Sequence, residues 1–172
     1  MSATYIDTDV IVRLVTGDDL AKQAAAARLF QEVEDGKLTV AAPYTVIADA
    51  VFVLCSRNLY NLPRPVAAAA LARLVRIPGF HIERRRTVLA ALDLFETHRV
   101  DFGDCMLIAS MRQAGASALY SYDRDFDRFA GIERQEPAAS PGHDQEPESL
   151  ATAWVSGGGT RAGTSRRTSA GG

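Results

Sequence analysis

The chain has few of the residues from which many functional sites are built. Its 172 residues include two cysteines, three histidines and one tryptophan. Cys55 and Cys105 lie in apolar stretches and are expected to be free, buried thiols in preference to a disulfide. No apolar run approaches the roughly 20 residues that span a bilayer, so no membrane association is expected. The N-terminus has neither a basic region nor an apolar leader, which favours a cytoplasmic location.

The chain also lacks a surplus of either charge. Its 19 basic and 21 acidic residues give a formal net charge of -2, so the protein as a whole does not attract nucleic acid. A polyanionic partner would have to be bound by a local basic patch or through a metal ion. Hydrophobic residues make up 47% of the chain, enough for one core of ordinary size. Because Pro, Gly, Ser, Thr and Arg dominate the C-terminal part, we predict a folded domain over residues 1–137 and a disordered tail over residues 138–172.

Short β-branched runs alternate with helical patterns along the folded part. Strands are predicted over residues 5–6, 38–41, 80–82 and 118–121, and the first of them is expected to be buried. Helical spacing of apolar residues fills the intervals between them. Strands that alternate with helices in this way predict an α/β fold with a parallel sheet and helices on both of its faces.

Four aspartates stand at positions where such a fold places its ligands. Asp7 follows the first strand and Asp123 follows the last, and ligands of open α/β sheets bind beyond the carboxyl ends of the strands. Asp104 falls in the first turn of a helix that Asp101 would cap, where the helix dipole favours an ionised carboxylate. Asp49 is the only charge in a helix that is apolar on nearly every side, so it is expected in the interior or at the wall of a cleft.

Carboxylates that converge at one edge of a sheet repel one another unless a cation neutralises them. Ligand sets made of oxygen alone favour Mg²⁺ or Mn²⁺ over zinc. Such cations can activate water for phosphodiester hydrolysis, which would be the natural task of this site. The stretch around Asp7 leaves a second interpretation open, in which Asp7 is itself the nucleophile.

The chain resembles the PIN domains, and among them the VapC-type toxins of bacterial toxin–antitoxin pairs. The matching stretches are YIDTDV at 5–10, LVTGDD at 14–19, TVIADAVFVL at 45–54, DFGDCMLIA at 101–109 and YSYDRDF at 120–126. The resemblance implies a PIN-like three-layer sandwich with about four or five short strands. It also implies an Mg²⁺- or Mn²⁺-dependent endoribonuclease that acts on tRNA or ribosomal RNA and is restrained by an antitoxin protein.

The resemblance assigns roles to particular residues. Asp7, Asp49, Asp104 and Asp123 would be the metal-binding and catalytic acids, and Ser121 the hydroxyl residue beside the last of them. The family usually has Glu where this chain has Asp49. Because the side chain of Asp is shorter by one methylene, weaker binding of one metal ion is expected. The family tends to have Asn or Ser in place of Asp9, which would either bind metal or cap the first helix; capping is favoured.

Partners and rival functions complete the hypotheses. Basic residues that would contact RNA are Arg13, Arg84, Arg85, Arg86 and Arg124. Apolar helices beyond the needs of one core suggest a homodimer and a groove for an antitoxin segment. One rival is a haloacid-dehalogenase-like phosphatase with Asp7 as nucleophile, although its downstream lysine is missing. The other is a degenerate PIN-fold module that binds without catalysis, which the Asp at position 49 would explain.

Overall fold

The computed structural model describes residues 4–138 and 154–155. Within these residues, six α-helices and five strands belong to the compact unit Met1–Glu136. The strands are β1 (Thr4–Tyr5), β2 (Val40–Ala42), β3 (Phe80–Ile82), β4 (Ala118–Tyr120) and β5 (Glu133–Gln135). The helices are α1 (Thr8–Thr16), α2 (Leu20–Glu34), α3 (Tyr44–Cys55), α4 (Arg64–Arg76), α5 (Arg85–Thr97) and α6 (Phe102–Ala114), and a 3₁₀ helix spans Arg124–Arg128.

Little of the C-terminal part is described. In the second unit, Pro137–Gly172, Trp154 and Val155 are helical and exposed. The predicted disorder of residues 138–172 otherwise lies outside the described residues and stays a prediction. Across the described ranges, no helix is both long enough and apolar enough to cross a membrane.

All strand pairs are parallel, and they form two sheets. The first sheet has the order β1-β2-β3, and the second pairs β4 with β5. The predicted α/β class with parallel strands is confirmed, but the strands divide between two sheets. β5 was not predicted, because Glu133-Arg134-Gln135 lacks any apolar alternation. Its backbone pairs with β4, and Arg134 donates from Nη1 to the carbonyl of Ser121 at 2.9 Å.

The first sheet buries one face in the core. Val40 and Phe80 are paired and fully buried, and Phe30 of α2 meets Phe80 edge-to-face at 5.5 Å between ring centroids. On the opposite face of this sheet, Tyr5 of β1 is 71% exposed. The next residue along the chain, Ile6, is buried. The expectation of a fully buried first strand is therefore wrong for Tyr5, because alternate residues of a strand face opposite sides. Cys55 and Cys105 are free thiols, as predicted, but only Cys105 is fully buried, whereas Cys55 is partly exposed.

Side-chain caps fix the starts of the helices that carry the candidate acids. Asp7 caps α1 and accepts a hydrogen bond from the Thr8 N–H, whereas Asp9 lies within the first turn. The prediction that Asp9 caps this helix is wrong, because the chain turns helical two residues earlier, at the end of β1. Asp101 caps α6 and accepts from the Asp104 N–H at 2.9 Å, as its spacing predicts.

Asp18 ties the corner between α1 and α2 to the distant residue Tyr60. Its carboxylate accepts hydrogen bonds from the Tyr60 hydroxyl at 2.6 Å, from the Arg13 guanidinium and from the Thr16 hydroxyl at 3.0 Å. The hydrogen bond from Tyr60, followed by that from Arg13, lowers the pKa of Asp18 to about 2. Three donors therefore hold this carboxylate in its ionised form.

This network predicts an acid-dependent loss of stability. A carboxyl group with a lowered folded-state pKa contributes stability above its ordinary pKa of about 4, and that contribution disappears as the pH falls toward about 2. Urea unfolding between pH 2 and pH 5 should therefore show a midpoint that rises with pH in the wild type and rises less in Asp18→Asn. Equal slopes for the two proteins would contradict the assignment.

Candidate active site

Asp104 lies at the centre of a group of acids at the start of α6. It occupies the third position of the helix and is half-buried. Burial raises the pKa of Asp104 above its ordinary value, and the negative charges of Asp101, Asp123 and Asp125 raise it further. Burial and repulsion thus oppose the effect that the helix terminus is expected to have on Asp104. We name Asp101, Asp104, Asp123 and Asp125 the acidic cluster.

The turn after β4 holds Asp123 in place. Ser121 accepts a hydrogen bond from the Asp123 N–H at 3.0 Å, and Asp123 in turn accepts from the Asp125 N–H at 2.8 Å. Asp123 thus begins the 3₁₀ helix, with its carboxylate exposed. Sequence reasoning missed Asp125, although its position two residues after Asp123 was an available signal. Asp125 also pairs with Arg128 at 3.0 Å.

Asp7 caps α1 and Asp49 lies on α3, and these two helices pack against each other. Asp7 is exposed at the carboxyl end of β1. Asp49 is also exposed, so the expectation of an interior carboxylate is wrong. Three residues of α3 face the solvent: Thr45, Asp49 and Phe52. Because Phe52 is apolar although it is 72% exposed, the sequence of α3 indicated burial on every side.

A cleft lies between α3 and the start of α6. Its volume is about 490 Å³, and Ala48 and Phe52 line it together with Asp101 and Gly103. Asp49 lies between these two α3 residues in the sequence. Asp49 itself is not among the residues that line the cleft, so its expected position at the wall of a cleft stays a prediction.

The chemistry of these side chains fits a hard divalent cation. The acidic cluster offers oxygen ligands alone, and its mutual repulsion at Asp104 is the kind of charge surplus that a cation relieves. Among the residues described, no three Asp, Glu, His or Cys side chains already form a group that could hold a metal ion. The charge of Asp123 acts on Asp104, and α3, which carries Asp49, packs against both α6 and the helix that Asp7 caps.

A comparison with protein-family models decides the family. The model described as PIN domain matches residues 4–132, well over half of the chain. The chain belongs to the PIN domain family. A search of curated proteins found no match. PIN domains are generally metal-dependent nucleases that typically use Mg²⁺ or Mn²⁺, so the prediction of a nuclease-type protein that binds RNA is supported at this level.

The arginines predicted to contact RNA differ in their surroundings. In this PIN domain, Arg13 is paired with Asp18, and Arg85 donates to the carbonyls of Ile77 and Phe80. Three others are exposed: Arg84, Arg86 and Arg124. Arg84 adopts a left-handed backbone with φ of 56°, and its guanidinium lies 5.9 Å from the centre of the Tyr44 ring. All five stay predicted RNA contacts.

Arg64 is a supporting residue that sequence reasoning missed. Its guanidinium lies 3.6 Å from the centre of the Phe95 ring. It donates to the carbonyls of Phe95 at 3.1 Å, His98 at 2.8 Å and Val100. These bonds hold the segment that connects α5 to Asp101, the cap of α6. Arg64 thus anchors the segment that directly precedes Asp101.

Proposed function

We propose that this PIN domain is a metal-dependent endoribonuclease and the toxin of a toxin–antitoxin pair. The observation that carries the proposal is the acidic cluster, in which three neighbouring carboxylates oppose the ionisation of Asp104. Folded proteins rarely keep such repulsion without a use for it, and acidic sites of this kind recruit divalent cations. Family membership supplies the nuclease chemistry that fits this arrangement.

Each candidate residue has a definite task in this proposal. Asp7, Asp49, Asp104 and Asp123 hold Mg²⁺ or Mn²⁺, and such a cation, when bound, activates water and offsets phosphate charge in phosphodiester hydrolysis. In a supporting role, the Asp101 carboxylate orients Asp104 by accepting a hydrogen bond from the Asp104 N–H. The Ser121 hydroxyl orients Asp123 in the same way, by accepting from the Asp123 N–H.

Basic side chains complete the proposed site. The exposed Arg84, Arg86 and Arg124 are candidates to bind the phosphates that flank the cleaved bond. Asp9 remains a candidate for an additional metal contact, since its exposed carboxylate follows Asp7 by two residues.

A groove between α1, α2 and α4 supports the antitoxin part of the proposal. It has a volume of about 450 Å³ and is lined by α1, α2 and α4 residues such as Leu14, Phe30, Val66 and Leu74. An amphipathic segment of a cognate antitoxin would place apolar side chains there. The exposed apolar side chains of Leu20 and Leu59 support a homodimer. A toxin that cleaves tRNA or ribosomal RNA would act in the cytoplasm.

The phosphatase alternative has less support. Such an enzyme needs a lysine near its phosphate site, and the chain has lysine only at positions 22 and 37. Lys22 pairs with Asp19 at 3.4 Å and Lys37 with Asp35 at 2.7 Å, at the two ends of α2. The PIN family match also favours a nuclease.

A metal titration tests the proposal. Millimolar Mn²⁺ should raise the melting temperature of the wild type, because a ligand that binds only the folded state stabilises it. The double variant Asp7→Asn/Asp104→Asn should lose that gain, whereas Asp93→Asn, which changes an exposed aspartate on α5, should keep it. Mn²⁺-dependent cleavage of RNA, mapped by new 5′ ends, should follow the same pattern. A wild type that does not respond to Mn²⁺ would support the binding-module alternative.

A further inference from the structure

Three residues form a row across the first sheet, on the face opposite the Phe80 core. Tyr5 is in register with Ala41, and Ala41 is in register with His81. Residues in register on parallel strands project to the same face. The two outer residues are exposed, with Tyr5 at 71%, whereas the central Ala41 is 8% exposed. The row therefore has two ring-bearing ends and a small residue between them.

A pocket occupies the space above this row. It has a volume of about 370 Å³ and is lined by Tyr5, Ala41, Ala42, Pro43, His81, Ile82 and Glu83. The outer strands are about 10 Å apart, and aromatic rings stack with centroids about 4.5–7 Å apart. One flat ring placed midway between Tyr5 and His81 would therefore contact both. A side chain larger than Ala41 would fill this space.

The pocket lies next to the proposed catalytic edge. Glu83 is one of the residues that line the pocket, and Asp7 follows Tyr5 by two residues, so both acids come after the carboxyl ends of strands of this sheet. A Glu83 carboxylate at the rim accepts hydrogen bonds and suits the amino group of a nucleobase. Exposed Arg84 comes next in the chain and suits a phosphate.

We propose that Tyr5 and His81 hold one unpaired nucleobase of the RNA substrate between their rings, above Ala41. The bound base places the adjoining phosphate near Asp7, and Glu83 favours bases that carry an amino group over uracil. A base in a duplex cannot enter such a slot, so the substrate is single-stranded at this position. The inference rests on the proposed function, because it assigns the base-binding part of the same site.

Binding measurements in a non-cleaving background test the slot. In full-length Asp104→Asn, fluorescence anisotropy with a labelled single-stranded RNA of mixed sequence should give a Kd. Tyr5→Ala and His81→Ala should each weaken binding by about 5- to 100-fold, the range for loss of one stacked base. Tyr5→Phe keeps the ring and should bind like its parent. Ala41→Leu keeps both rings and should block the slot to a similar extent.

Matched controls separate stacking in the slot from non-specific contact between RNA and exposed aromatic rings. Tyr120→Ala removes an equally exposed tyrosine, at 71%, from the second sheet and should leave the Kd unchanged. An equal loss in Tyr120→Ala would overturn the slot in favour of general aromatic binding. Melting temperatures of the Tyr5 and His81 variants should match the parent, because both side chains are exposed.

Cleavage assays distinguish failure of the slot from failure of the proposed function. With Asp104 intact, Tyr5→Ala should raise KM more than it lowers kcat, the pattern for lost substrate binding. Normal RNA binding and cleavage by the Tyr5, His81 and Ala41 variants would overturn the slot and leave the nuclease proposal standing. A wild type that binds and cleaves no RNA would overturn both. Variants that change the oligomer mass and leave the Kd unaltered would assign this face to protein contact instead.

Discussion

Replacement of Asp104 by Asn should reduce Mn²⁺-dependent RNA cleavage by about 100-fold or more, because a metal-binding carboxylate supplies several kcal/mol of transition-state stabilisation. The same change should leave the fold at least as stable as the wild type. Burial and the charges of Asp101, Asp123 and Asp125 raise the pKa of Asp104, so the ionised carboxylate destabilises the folded state at pH 7. A neutral amide of the same size removes that repulsion.

The pH dependence gives this prediction a second readout. An acidic group whose pKa is raised in the folded state lowers the stability of the protein as the pH rises from the group's unfolded-state pKa through its folded-state pKa. The advantage of Asp104→Asn in urea unfolding should therefore be present at pH 7 and absent below about pH 4, where both states are protonated. Asp93→Asn is the matched control and should change neither activity nor stability. A less stable Asp104→Asn with full activity would contradict the assignment.

Replacement of Arg64 by Ala should destabilise the fold by about 2–4 kcal/mol, because buried carbonyls lose a charged donor and the Phe95 ring loses its stacked partner. Arg64 donates to three carbonyls, at the end of α5 and in the segment that leads to α6. Nuclease activity should fall as well, since this segment positions Asp101. This loss of activity would come from displacement of Asp101, because Arg64 is not itself part of the acidic cluster.

Urea unfolding and a matched substitution check the Arg64 prediction. Arg64→Lys keeps the charge and lacks the planar fork, so it should recover only part of the stability. Arg73→Ala, which removes an exposed arginine from the same helix, should change the unfolding midpoint little. If Arg64→Ala unfolds at the same urea concentration as the wild type, Arg64 does not anchor the segment.

Local patterns predicted most elements and the spacing within them. Turn residues and apolar periodicity placed four of the strands and the helices between them to within a few residues. The relation between Asp101 and Asp104 followed from helix geometry alone, because a cap accepts from the N–H three residues later. Asp7 and Asp123 were selected because each comes soon after a predicted strand, and their assignment to the site stays a prediction.

The features that sequence reasoning missed depend on the tertiary structure. The exposure of Asp49 could not be inferred, because its neighbour Phe52 is an apolar residue that faces solvent. Arg64 acts across 31 to 36 positions, a separation at which periodicity carries no information. The Tyr5–Ala41–His81 row depends on strand register, which joins residues from three distant segments.

The division of the strands into two sheets has a consequence for metal affinity. Asp7 leaves the first sheet and Asp123 leaves the second, and within the described residues no ladder joins β1 to β4. The separation of these two carboxylates is therefore set by side-chain packing, which is more compliant than a hydrogen-bonded ladder. In the proposed site, a cation bound by both carboxylates would link the two sheets. Hydrogen exchange at β1 and β4 is therefore expected to slow when Mn²⁺ is added, which would give the ion a role in stability as well as in the proposed chemistry.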